Sequence, residues 1–153
     1  MASTEAIRAV EVLLQRTDQQ TRDILATYSP GAEVDTINVL IGDGVAVLVA
    51  GVAAAIRVDF RARITGSFVQ EFDGTSGSVV LGIAKAAPGA SPSFTSIVGS
   101  APPTISSGRY AADETLTGWT TDINRGDLLR FSVTSATSIK RLLIALRIRR
   151  LEP

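Results

Sequence analysis

The sequence predicts a mainly β protein, an antiparallel β-sandwich preceded by one N-terminal α-helix that assembles with its own copies. Three observations predict it. Apolar or small residues recur at every third or fourth position from Ile7 to Tyr28. From Thr36 onward the apolar residues alternate with polar ones in short runs. Clusters of Gly, Pro, Asp and Ser separate those runs, and no second helical pattern interrupts them. The expected division is a helical stalk over residues 1–30 and a sandwich over residues 31–153.

The helix comes first. Ser3 or Thr4 caps it by accepting a bond from an orphan backbone N–H, and Glu5 suits the positive end of the dipole. Asp18 and Arg22 form an i,i+4 pair. Pro30 in Ser29-Pro30-Gly31 ends it, because proline lacks an N–H and disfavours helix at the residue before it. From Thr4 to Tyr28 the helix is expected to run about 37 Å. Ile7, Leu14, Thr21 and Tyr28 fall at heptad position a, and Val10, Thr17 and Ile24 at d. One helix cannot bury this stripe on itself, and a sustained 3.5 period favours a seam with copies over a seat on a sheet. Leu14 at a and Ile24 at d lean away from a dimer, and Leu13 and Leu25 widen the apolar face, so a trimeric coiled coil is expected. The alternatives are a helix folded back on its own sandwich and a helix lying on a membrane surface. The mixed charges of the polar face speak against the second. Val12 is an apolar misfit at outer position f and a candidate contact with another protein.

The strands follow in order. Val39 to Ile56 is 18 residues with one charge, but its glycines and the Asp43-Gly44 turn signal favour buried strands over a membrane span. Ile56, Val58 and Phe60 alternate with Arg57, Asp59 and Arg61, and Ile64 and Phe68 are expected to continue the inward set. Val79, Leu81 and Ile83 form the next set, and Leu129, Phe131 and Val133 another, after a tight turn at Gly126-Asp127. Leu142, Ile144, Leu146 and Ile148 form the last. The stretch from Ala86 to Ala111 reads as long loops with one or two short strands near Phe94–Val98.

Composition narrows the chemistry. The chain has no Cys and no His, which removes thiolate nucleophiles, disulfides, the commonest metal ligands and the commonest general base near neutral pH. Lys and Arg together equal Asp and Glu at 15 each, so no global charge attracts nucleic acid or membrane. No basic leader followed by an apolar run is visible at the N-terminus. No catalytic residue, cofactor site or metal site is expected. Ile41 to Val47 carries half a dinucleotide loop without the third glycine or a following helix. Asp113 with Glu114, and Asp122 with Asp127, are carboxylate pairs better explained by loop solvation than by glycosidase chemistry. Trp119 is the only tryptophan, a sugar-stacking platform or, more simply, a ring covering a sandwich end or a subunit seam. Residues 139–153 carry five cations against Glu152, a local charge of +4. Without nearby stacking aromatics this fits a solvated face or an acidic partner surface better than nucleic acid. Arg147, Arg149 and Arg150 are the candidate contacts there.

The run "SAPPTISS", Ser100 to Ser107, and the run from Leu116 to Val133 built on Gly118-Trp119 and Gly126-Asp127 resemble a small β-sandwich module of tailed-bacteriophage virion proteins. The likeness covers residues 37–150 and leaves the helix outside. The module's usual apolar-aromatic-lysine ending is here Ile83-Ala84-Lys85. The resemblance implies a jelly-roll-like sandwich and a non-enzymatic virion structural protein made in the host cytoplasm. Joined to the heptad stripe, it implies a homotrimeric capsid decoration or cement protein whose partners are itself and a major capsid or other virion protein. A short chain with one sandwich leaves little room for a long shaft. The alternative is a short tail or neck fibre that recognises a host surface glycan through the loops Pro88–Ser107 and Trp119. A capsule depolymerase comes third, since no carboxylate arrangement for it is visible.

Overall fold

The computed structural model describes residues 33–151. The expected helix and its seam residues Ile7, Val10, Leu14, Thr17, Thr21, Ile24 and Tyr28, the misfit Val12, and the boundary at residue 30 lie outside the described residues. Among the described residues ten strands follow one another: β1 (Val34–Ile41), β2 (Gly51–Val58), β3 (Ala62–Glu71), β4 (Gly77–Ala86), β5 (Thr95–Ser96), β6 (Thr104–Gly108), β7 (Tyr110–Asp113), β8 (Asp122–Ile123), β9 (Asp127–Thr137) and β10 (Leu142–Arg150). They form two antiparallel sheets. One runs β1-β10-β3-β7, with β8 also on β3; the other runs β2-β9-β4, with β5 and β6 both on β4. The first strand therefore pairs with the last, and the first four strands alternate between sheets. This is the double Greek-key wiring of a jelly roll. The described residues contain no helix long and apolar enough to cross a membrane.

Alternation places the core. Val79, Leu81 and Ile83 of β4, Leu129, Phe131 and Val133 of β9, and Leu142, Ile144, Leu146 and Ile148 of β10 are all buried in one cluster between the sheets. Period-2 side-chain direction produces this directly, since each run presents its apolar members to one side. The turn before β9 falls where the sequence places it. Gly126 takes φ +90°, and the Asp127 N–H donates to the Asn124 carbonyl at 3.1 Å.

Three expectations change in the structure. Phe68 does not continue the inward set of Ile64. The pairing of β3 with β10 shifts by one residue, with Ile64 opposite Ile148 but Gly66 opposite Arg147, so Thr65 is the extra residue of a bulge. A one-residue slip exchanges the two faces, and Ser67 and Val69 point inward in its place. Second, the stretch from Val39 to Ile56 is not a pair of buried strands. Val39 and Ile41 are buried, but residues 42–50 form a loop, and Val45, Val47, Val49 and Val52 are exposed. Gly42 and Gly44 at φ +94° and +81° turn the chain outward, and Asp43 accepts bonds from the N–H groups of Val45 and Ala46. Leu48 and Gly44 reach back, their N–H groups donating to the Ile139 carbonyl at 2.9 Å and the Lys140 carbonyl at 3.4 Å. Third, the loops after Ala86 carry three short strands, β5, β6 and β7, of which only β5 lies within Phe94–Val98.

Candidate functional site

The last strand and the residue before it are where the sequence gathers positive charge. Outward alternation puts Arg147 beside the bulge, where Gly66 leaves room for it. Its guanidinium donates to Glu114 Oε1 at 2.7 Å, to Thr65 Oγ1 at 3.1 Å and to the Thr65 carbonyl at 3.2 Å, and lies 5.5 Å above the Phe68 ring. Arg150 donates to Asp35 Oδ2 at 3.0 Å and covers Phe60 at 4.1 Å. Arg141 makes a two-pronged contact with Asp73 and covers Phe72 at 4.9 Å. That pairing raises the Arg141 pKa above its already high ordinary value. Arg149 is half-buried, opposite Val34 on one side and Arg63 on the other. Three arginines of this region are therefore each paired within the chain with a carboxylate and an aromatic face, and the buried Arg150 Nε is left without a hydrogen-bond partner. Partly exposed pairs of this kind contribute about 0–1 kcal/mol each, so they shape the surface more than they stabilise it.

The carboxylates singled out in the sequence are not convergent. Asp113 accepts bonds from the Leu116 N–H and from the Thr115 hydroxyl and N–H, which hold its carboxyl below the usual range. Glu114 faces Arg147, Asp122 faces Arg63 at 3.0 Å, and Asp127 accepts the Asn124 N–H at 2.8 Å. Among the described residues no group of three His, Cys, Asp or Glu side chains is placed to hold a metal ion.

Trp119 is half-buried against the core. Its indole N–H donates to the Ala101 carbonyl at 2.8 Å, and the ring packs on the core. Nearby, Thr120 N–H donates to the Ile97 carbonyl, so the turn at Gly118 is tied to the loop before β6. Trp119 thus joins two loops that sequence order separates, with its one polar atom engaged. Trp119→Phe keeps an aromatic side chain but removes this bond and part of the ring, and is expected to cost at least about 1 kcal/mol by urea unfolding. No loss at all would contradict a bridging role.

The feature that sequence reasoning missed lies at the opposite flank from β7. There, among the described residues, β1 and β2 are the edge strands of their two sheets, each paired on one side. Beside them Val45 is 77% exposed, Val47 43%, Val49 81% and Val52 64%, and Leu40 on β1 is also exposed. Val47, Val49 and Val52 border a groove of about 330 Å³ with Ile41, Leu48 and Val133 on its walls. The signal was present, since the run was apolar enough to imitate a membrane span. Apolar content alone places it in the core, because periodicity does not say which segments stand at a sheet edge or in a loop.

No protein-family model and no curated relative matches the chain. Solved structures of similar shape include one of Bacillus endospore appendages, disulfide-linked pili, with TM-score 0.38, 11% identity, and coverage of 80% of this chain and 89% of that one. Another is the CBM22-1 xylan-binding domain of Paenibacillus barcinonensis Xyn10C, with TM-score 0.42, 12% identity, and coverage of 81% and 84%. A third is a chain of the cyanophage Pam1 capsid asymmetric unit, with TM-score 0.34, 14% identity, and coverage of 79% and 85%. Viral shell, appendage and sugar-binding proteins thus all appear among the neighbours, and likenesses at this level carry no argument for one role over another.

Proposed function

We propose that the chain is a homotrimeric virion structural protein, a capsid decoration or cement protein that acts by adhesion to the head shell and carries out no reaction. The observation that carries the reading is the exposed apolar flank beside two strand edges that no described residue pairs. A soluble surface seldom leaves such a patch uncovered unless another protein meets it. The heptad stripe from Ile7 to Tyr28 and the resemblance to virion sandwich modules support three copies and a particle setting. Three identical contacts then multiply weak affinities through effective concentration.

Light scattering of the full-length chain and of a chain starting at Gly31 tests the assembly. The full chain is expected at three times its 16.0 kDa mass, and the shortened chain at less. A monomeric full-length chain would end the trimer reading. Cryo-electron microscopy of particles bearing the protein tests its place, and density confined to a tail tip or collar would rule out the cement role.

A further inference from the structure

We infer that a small cavity beside the end of β10 is a docking pocket for a carboxylate side chain that a partner protein presents between apolar neighbours. The inference deepens the adhesion reading above and rests on it only for who the partner is, a neighbouring protein of the particle. The pocket itself is built from three segments of the described chain. Asp59, Phe60 and Arg61 carry the chain from β2 into β3, Arg125 stands in the turn before β9, and Leu151 follows β10. The Leu151 N–H donates to the Arg61 carbonyl at 2.9 Å, and the Gly126 N–H to the Val58 carbonyl at 2.7 Å, so backbone bonds tie the segments together. They border about 230 Å³. That is less than the roughly 300–1,000 Å³ of a site for a free organic ligand, and it suits one or two side chains of a partner.

Charge decides which side chain. Phe60 and Leu151 are half-buried and give the pocket an apolar wall. Its charged lining is Arg61, Arg125 and one carboxylate, Asp59. Asp59 is already engaged, accepting from Arg57 Nε at 2.6 Å. Arg125 is exposed, and its side chain has no hydrogen bond or ion pair among the described residues. The pocket therefore offers a guanidinium fork beside an apolar wall, which a carboxylate on an apolar stem matches at both ends. A cationic side chain would meet two arginines and a carboxylate already taken. A sugar is a poorer match. The Phe60 ring packs on the core and is covered by Arg150 at 4.1 Å, and no side-chain amide among the described lining residues is there to bond ring hydroxyls.

The test passes the full chain over a surface bearing the peptide Ala-Leu-Glu-Leu-Ala with neutral ends, beside its Ala-Leu-Gln-Leu-Ala counterpart, and reads binding by surface plasmon resonance. The native chain is expected to bind the Glu peptide at least about fivefold more tightly than the Gln peptide, and less tightly as salt rises. Arg125→Ala is expected to remove that preference, and Arg125→Lys to keep part of it. Arg125 is exposed, so both variants should keep the native urea midpoint. Tyr110→Ala, paired with Gln70 at the other end of β3, is the control and should bind as the native chain does. Equal binding of the two peptides, or an Arg125→Ala chain that keeps the native preference, would overturn the inference. So would a surface of glucuronate preferred to the Glu peptide. A preference seen only in a chain ending at Leu151 would assign the pocket to the chain's own Glu152 and overturn it too. None of these results touches the trimer, which the light scattering decides; a monomeric chain that prefers the Glu peptide keeps the pocket and ends the trimer reading.

Discussion

Phe131→Ala is expected to lower the stability of the chain by about 4 kcal/mol. The side chain is 1% exposed at the centre of β9, the strand that pairs with both β2 and β4. Its register partners are Ala54 on one side and Ile83 on the other. Truncation removes the buried ring and leaves a cavity. The walls belong to strands held by hydrogen bonds on both sides, so collapse into the space is resisted. The cost is a large part of the roughly 5–15 kcal/mol that holds a domain together. Urea unfolding of the full-length protein should show the midpoint fall with little change in slope. A loss under about 1 kcal/mol would mean that Phe131 is not packed between the sheets.

The second large effect concerns a buried charge. Glu71 ends β3 with a carboxylate 0% exposed. Burial alone pushes its pKa up. Arg109 Nε at 2.8 Å, the Asp73 N–H at 2.6 Å and the Thr75 N–H at 3.0 Å outweigh that and hold the pKa below its ordinary value. One side chain thereby organises the turn from β3 to β4 and clamps it to the start of β7. Removing the cation by Arg109→Ala strands a buried carboxylate and is expected to cost about 3 kcal/mol near neutral pH. The sign of the pH dependence follows from the depressed pKa. Glu71 contributes stability above the unfolded carboxylate range, and that stability is lost as pH falls through the lower folded value. Glu71→Gln should therefore flatten the acid limb of the stability profile, and Arg109→Ala, which lets burial raise the Glu71 pKa, should also shrink the difference between neutral and acid stability. Unfolding midpoints at about pH 7 and about pH 4 measure both. Native and Glu71→Gln profiles of the same shape would remove Glu71 from the acid response.

These two positions differ in how readily the sequence shows them. Phe131 stands in a clean alternation with Leu129 and Val133, so its burial is legible from neighbours two residues away. Glu71 closes the long strand containing Ile64 and Phe68, but its partner Arg109 is 38 residues distant and no local pattern links them. The same holds for Arg147 with Glu114, Arg150 with Asp35 and Arg141 with Asp73. The sequence shows a run of positive charge there; the fold brings a carboxylate to each of these three and an aromatic face beneath it. Trp119 is comparable, because its position near a turn is local while its bond to Ala101 depends on how two loops meet.

What the sequence determined by itself is the β character of residues 33–151, the inward faces of β4, β9 and β10, and the turn before β9, because side-chain direction and glycine conformation act over a few residues. Only the tertiary structure decided the rest. The bulge at Thr65 turned Phe68 outward because register is a property of two strands together. The valines of residues 45–52 stand in solvent because the chain turns outward at Gly42 and Gly44 into a loop that leads to β2, an edge strand among the described residues. An apolar run reads alike in the middle of a sheet and at its rim, and strand order, set by contacts across the whole chain, is what separates core from surface.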